Sequence, residues 1–278
     1  MKITEKEITA KSLITKSNLP ASDYVINPYV GCPHSCKYCY ARFMKRFTGH
    51  TEKWGEFIDI KRCDKPINTK ILHQKSVFLS SVTDCYNPYE EKYQITKKIL
   101  EQLIEIDCTI TISTKSDLIL RDIDILKRLN NLTAAISINT LDESFKQDMD
   151  HASSISKRIT ALKELYSQGI HTVLFMSPIF PYITDFRAII EKTSNFVCEY
   201  WFENLNLRGN YREKILSYIA KVYPQYIADY KCIYNQKNSD YWKQLSNDID
   251  EYCFKNNIVY TNYFYHSLLV ANKKGKGK

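Results

Sequence analysis

Cys32, Cys36 and Cys39 stand in the run Gly31-Cys32-Pro33-His34-Ser35-Cys36-Lys37-Tyr38-Cys39-Tyr40, a C-x3-C-x2-C spacing with no fourth cysteine close by. Thiolates are soft ligands that select iron–sulfur clusters and zinc. Four of them would close such a centre to chemistry, whereas three leave one position open. The competing use of the same residues is a zinc knuckle completed by His34 or by a distant cysteine. Zinc sites, however, are usually built from two close pairs, and this triplet stands alone.

The flanking residues narrow the choice. Asn27-Pro28-Tyr29-Val30-Gly31 before the triplet, Tyr38 inside it and Tyr40-Ala41 after it resemble the cluster loop of radical S-adenosylmethionine (radical SAM) enzymes, in the branch containing spore photoproduct lyase. Phe43-Met44-Lys45-Arg46-Phe47, His50 and Trp54-Gly55 resemble a subgroup called radical SAM mobile pair proteins, and the likeness extends over about residues 12–210. The resemblance implies a [4Fe–4S] cluster held by Cys32, Cys36 and Cys39, with SAM chelated at the fourth iron. It further implies reductive cleavage of SAM to methionine and a 5′-deoxyadenosyl radical, fed by a reductase such as flavodoxin or ferredoxin. A nucleic acid or nucleotide is the substrate class expected by analogy to the lyase. Two alternatives stay open: modification of a peptide or small metabolite, with a second radical SAM protein as partner, and a non-catalytic zinc-dependent nucleic-acid-binding module.

Further polar residues lie where apolar runs end. Ser80-Ser81-Val82-Thr83-Asp84-Cys85 is hydroxyl-rich and acidic after an apolar segment, and the resemblance makes Thr83 and Asp84 candidates for receiving the SAM ammonium, an anion meeting a cation. An N-cap role for Asp84 fits less well, because the next helical pattern starts near Glu90. In Ser113-Thr114-Lys115-Ser116 the lysine ends a strand and is the resemblance's candidate for the SAM carboxylate. Tyr38 is its candidate for leaning on adenine, Ser137 for a ribose contact shared with Asn139, Ile179 for the adenine side, and Arg158 for the carboxylate. An ordinary helix-surface arginine is the equal alternative for Arg158. In the lyase a thiol on the second strand returns hydrogen to the product; the corresponding place here falls near Val82 or Thr83, and Cys85 is the candidate substitute. Arg208 and Gly209 are weaker substrate-side candidates, and Lys45, Arg46, Lys53 and Trp54 form a basic–aromatic group suited to phosphate or to plain solvation.

The elements that must position these residues read as repeated β–α units. Strands are expected at 24–29, 77–81, 109–113, 134–138, 172–176, 198–202 and 258–263, with helices at 90–106, 122–129, 154–168 and 186–193. Periodicity alone allows a doubly wound open sheet as well as the partial (β/α)6 barrel that the resemblance implies. Either places ligands at the carboxyl ends of the strands. The domain reading is an N-terminal arm (1–23), a core barrel (24–210), a helical, tyrosine-rich C-terminal extension packing on the barrel (211–270) and a disordered basic tail (271–278).

The net charge of +8 over 278 residues suits a polyanionic partner without establishing one. Nine cysteines, six of them scattered, do not form a secreted disulfide framework and point to a reducing compartment, the cytoplasm. No apolar run reaches the ~18 residues of a membrane span, and Met1-Lys2-Ile3-Thr4-Glu5-Lys6 lacks the apolar core of a secretory signal.

Overall fold

The structure, a computed structural model, describes residues 3–209 and 211–265; the tail expected to be disordered, 271–278, lies outside them. Among the described residues, eleven strands fall into two sheets. The strands are β1 (Thr4–Thr9), β2 (Ile14–Lys16), β3 (Tyr24–Ile26), β4 (Tyr29–Val30), β5 (Phe57–Arg62), β6 (Ser76–Leu79), β7 (Thr109–Thr114), β8 (Leu132–Ser137), β9 (His171–Ile179), β10 (Glu199–Asn204) and β11 (Tyr260–Asn262). The large sheet runs β11-β10-β9-β8-β7-β6-β3-β2, parallel throughout except for the antiparallel β2. Its strand order does not close on itself, so it is an open, partial barrel of the α/β class.

The connections are helical, as parallel neighbours require. They include α1 (Glu90–Tyr93), α2 (Ile95–Leu103), α3 (Ile123–Leu126), α4 (Glu143–Met149), α5 (Ile155–Ser167) and α6 (Phe186–Thr193), then α7 (Tyr211–Val222), α8 (Ile227–Tyr234) and α9 (Asp240–Lys255) before β11. Alternation along the strands separates two faces. Ile110, Ile112, Ala134, Ile136, Leu174, Met176, Tyr200 and Phe202 form the fully buried face, and α5 packs on β8 and β9. The opposite, concave face carries Thr111, Ser113, Thr133, Phe175, Ser177, Trp201 and Glu203, all half-buried.

Three expected elements differ. The strand expected over 24–29 stops at Ile26, because Pro28 cannot donate to a ladder and Asn27 turns inward, its Nδ2 on Ser81 Oγ (2.8 Å) and its Oδ1 accepting from the Val82 N–H (3.0 Å). The chain resumes as β4 in the small sheet β1-β5-β4, whose β1 comes from the segment read as an arm. The helix expected over 90–106 breaks at Gln94, which is left-handed (φ 51°). There the buried Glu90 carboxylate turns to accept the N–H groups of Thr96 (2.9 Å) and Lys97 (3.2 Å), capping a new helix. The helix expected over 122–129 is a 3-10 turn, Asp117–Asp122, followed by the short α3.

Candidate active site

The cysteine loop is held from three sides. β4 delivers the chain to Gly31 at φ 87°, where a Cβ would stand 2.4 Å from the Phe57 carbonyl, so only glycine fits. Inside the loop, the Ser35 N–H donates to Cys32 O (3.1 Å) and the Cys39 N–H to Cys36 O (3.2 Å). The end of α4 stitches it from the far side, through Lys37 N–H to Met149 O and His151 N–H to His34 O, both 2.8 Å. Behind it, Cys32, Ala41, Trp54 and Phe57 form an apolar group against which Cys39, Met44 and Val82 pack.

All three thiols are free, Cys32 and Cys36 buried and Cys39 half-buried. Burial pushes their pKa values up; Asp84 and the other two thiols add to this at Cys32, while Lys115 and Arg158 oppose it at Cys36. At Cys39 the Ala41 backbone N–H and the Trp54 side chain pull the other way. The thiols thus sense one another electrostatically. A zinc knuckle needs all its sulfurs about 2.3 Å from one point. A cubane takes each thiolate at a different iron, and its positive centre stabilises the thiolate form that burial alone disfavours. Three free thiols in one loop are the donor set that a [4Fe–4S] cluster would take.

The ends of β6 and β7 lie against this loop. Thr83 Oγ1 donates to the Gly31 carbonyl (2.7 Å). Asp84 is buried and accepts from Thr114 Oγ1 (2.7 Å), the Lys115 N–H (2.8 Å) and the Tyr86 N–H (2.9 Å). His34 Nε2 stands 3.2 Å from Asp84 Oδ2, off the line of a hydrogen bond. Burial raises the Asp84 pKa, but His34, the Lys115 N–H and Thr114 outweigh it and hold the carboxyl below its ordinary value. Lys115 reaches across the mouth, its Nζ 3.3 Å from Ser177 O and 5.9 Å from the centre of the Tyr38 ring.

A second buried carboxylate, Asp150, organises the α4–α5 side. Its oxygens accept from Arg158 Nη2 (2.8 Å), the Ala152 N–H (3.0 Å) and Tyr38 Oη (3.2 Å), with Lys146 Nζ 3.5 Å away. Burial opposes ionisation, but Arg158, Lys115 and Lys146 keep the Asp150 pKa low. Arg158 is 1% exposed, which excludes the helix-surface alternative. Its Nε and Nη1 donate to Ser153 O (2.8 Å) and Ser137 O (3.1 Å), so it braces Asp150 and the end of β8. Tyr38 is fixed at both ends, by Asp150 and by an edge contact with Phe180 (5.5 Å).

The remaining expected residues lie around the same mouth or beneath it. Ser137 is buried on the concave-face register of β8, Asn139 Nδ2 donates to Pro178 O (2.9 Å), and Ile179 is a buried residue at the end of β9. Cys85 is 0% exposed, its thiol pKa pushed well up by burial and by Asp84, the setting of a packed neutral thiol rather than an accessible donor. Tyr40 is 56% exposed with its hydroxyl on Ser81 O. Sequence reasoning passed over Asp150, Lys146 and Glu203, whose carboxylate accepts from Ser177 Oγ (2.5 Å), and considered His34 only as the fourth ligand of a zinc knuckle or as a loop residue. A charged residue in Asp148-Met149-Asp150 carries no local signal of burial; its contacts with Arg158, Lys146 and Tyr38 in the fold reveal it.

Residues 26–192, more than half of the chain, match the radical SAM superfamily. An uncharacterized protein of Methanocaldococcus jannaschii is 39% identical over 226 residues, 81% of this chain and 85% of the relative. A protein of Pseudomonas phage M6 named radical SAM Nalpha-GlyT isomerase is 27% identical over 172 residues, 59% of this chain and 35% of the relative. Spore photoproduct lyase complexed with dinucleoside spore photoproduct has a similar structure, with a TM-score of 0.58 and 16% identity over 80% of this chain and 66% of the lyase. That likeness is one of fold, and the chain spans just under two thirds of the lyase's length.

Proposed function

Because the chain belongs to the radical SAM superfamily, we propose that it binds a [4Fe–4S] cluster through Cys32, Cys36 and Cys39 and modifies a nucleic acid or nucleotide. When bound, the cluster with SAM supplies one-electron reductive cleavage to methionine and a 5′-deoxyadenosyl radical, chemistry at the low end of iron–sulfur potentials. The observation that carries the reading is convergence: the three-thiol loop, the Asp84 and Lys115 strand ends and the Asp150-held Tyr38 meet at one end of the barrel.

The chain's own residues bind, orient and exclude. Lys115 offers a cation to the SAM carboxylate, with Tyr38 beside it as an aromatic wall for adenine and Ser137 and Asn139 nearby for ribose. Asp84 fixes the backbone of Lys115 and keeps a negative charge near the ammonium position, while Thr83 ties that strand end to the loop. Arg158 and Lys146 act through Asp150, so they position Tyr38. The apolar backing of Trp54 and Phe57 keeps water from the sulfur side, and orientation of the substrate against the reactive carbon supplies the rest.

Support for the substrate class comes from the fold shared with a lyase solved with a dinucleoside spore photoproduct, and from the basic, aromatic 3-10 helix Tyr40–Phe47 that follows the loop. There Phe43 and Phe47 are exposed, with Arg46 over both rings at 5.6 and 4.7 Å, a surface suited to phosphate and stacked bases. Thymine-dimer-type repair is not part of the proposal, since Cys85 is fully buried. A flavodoxin- or ferredoxin-class donor and a reducing, cytoplasmic setting belong to the same reading. The test is anaerobic turnover with DNA, RNA, nucleotides, peptides or no addition, scored as 5′-deoxyadenosine. Stimulation by a nucleic acid or nucleotide, with deuterium passing from labelled substrate into deoxyadenosine, is expected; stimulation by peptide alone would replace the substrate class.

A further inference from the structure

Trp54 is 5% exposed, and its Nε1 is a buried donor without a hydrogen-bond partner. A buried N–H left unpaired is destabilising, so such orphans call for a partner. The indole belongs to the apolar group behind the loop, against which Cys39 packs, and its N–H lies within reach of that sulfur. A neutral thiol is a weak acceptor. A thiolate on iron is a far stronger one.

We propose that the Trp54 N–H donates a hydrogen bond to the Cys39 sulfur once the cluster is bound and thereby raises the cluster's reduction potential. This rests on the cluster ligation proposed above. Reduction adds negative charge that spreads onto the sulfurs, so a donor stabilises the reduced state more than the oxidised one. The surroundings fix the indole for this role. Phe57 meets it edge-on at 5.8 Å and stacks on His50 at 4.0 Å. His50 is itself pinned between Asp59 (2.7 Å) and Glu52 (3.1 Å). Trp54, Phe57 and His50 thus form a braced wall whose one open polar group faces Cys39.

The deciding variant carries 3-benzothienylalanine at position 54, which keeps the bicyclic shape and replaces only the N–H. After anaerobic reconstitution, iron content should match the native chain while the reduced-to-oxidised ratio at fixed potential falls roughly tenfold, about 59 mV for a one-electron couple. Trp54→Phe should shift in the same direction, and the Fe–S(Cys) stretching bands should move more on deuterium exchange in the native chain than in the isostere, which keeps only the backbone donors such as the Ala41 N–H. An unchanged potential in the isostere overturns the proposal. So does loss of iron from the isostere when the native chain retains it, because the N–H would then serve assembly. Absence of a cluster in the native chain would instead defeat the ligation reading itself.

Discussion

The two walls that enclose the cysteine loop are built from opposite materials. On the barrel side, Asp84, Lys115, Asp150, Arg158 and Lys146 form charged networks. On the small-sheet side, Trp54, Phe57 and Ala41 present an apolar, aromatic surface. Charge is concentrated where a zwitterionic ligand is expected, and apolar shielding where sulfur must be kept dry. The difference teaches that the barrel wall governs what binds and the small-sheet wall governs how the bound centre behaves.

The comparison is tested most severely at the loop itself. Replacing any of Cys32, Cys36 or Cys39 by Ala should abolish cluster retention and reduce 5′-deoxyadenosine formation to background. Next in size, Asp150→Ala leaves Arg158 and Lys146 as buried cations without their carboxylate. Breaking such a buried pair should cost about 3–5 kcal/mol in urea unfolding. Lys115→Gln should leave the fold intact but weaken SAM binding roughly 10- to 100-fold by calorimetry, the ~1.5–3 kcal/mol of a charge-assisted hydrogen bond. If Trp54→Phe weakened SAM binding as much as Lys115→Gln, the division between the walls would fail.

The smallest effect depends on pH. The folded-state pKa of Asp84 lies below its ordinary value of 3.8, so its ionisation stabilises the fold fully above that value and the contribution is lost as pH falls through the depressed pKa. Unfolding of the native chain and of Asp84→Asn should therefore differ most near neutrality and converge in strong acid. A gap that widens on acidification would contradict the assigned ionisation.

The sequence made legible what depends on local pattern. Helix α6 occupies the residues expected of it, and β7, β8 and β9 appear within a few residues of their expected bounds, because apolar runs there serve one buried face. The small sheet escaped notice because β1, Thr-Glu-Lys-Glu-Ile-Thr, is almost wholly exposed and has no apolar alternation to betray it. The break at Gln94 is likewise set by the Glu90 carboxylate, a tertiary arrangement that also engages Tyr29 and Arg121. At the site, the cysteine spacing pointed to the loop from three residues. Asp150 was invisible because its pairs with Lys146 and Arg158 look like ordinary surface charges in sequence, and the Tyr38 that it holds is 112 residues away.

A three-thiolate cluster with one open iron would show itself in anaerobic reconstitution followed by metal analysis and electron paramagnetic resonance with and without SAM. The account predicts about four irons per chain, negligible zinc, and a reduced-cluster spectrum that changes when SAM is added. Stoichiometric zinc without iron, or a cluster spectrum indifferent to SAM, would contradict it.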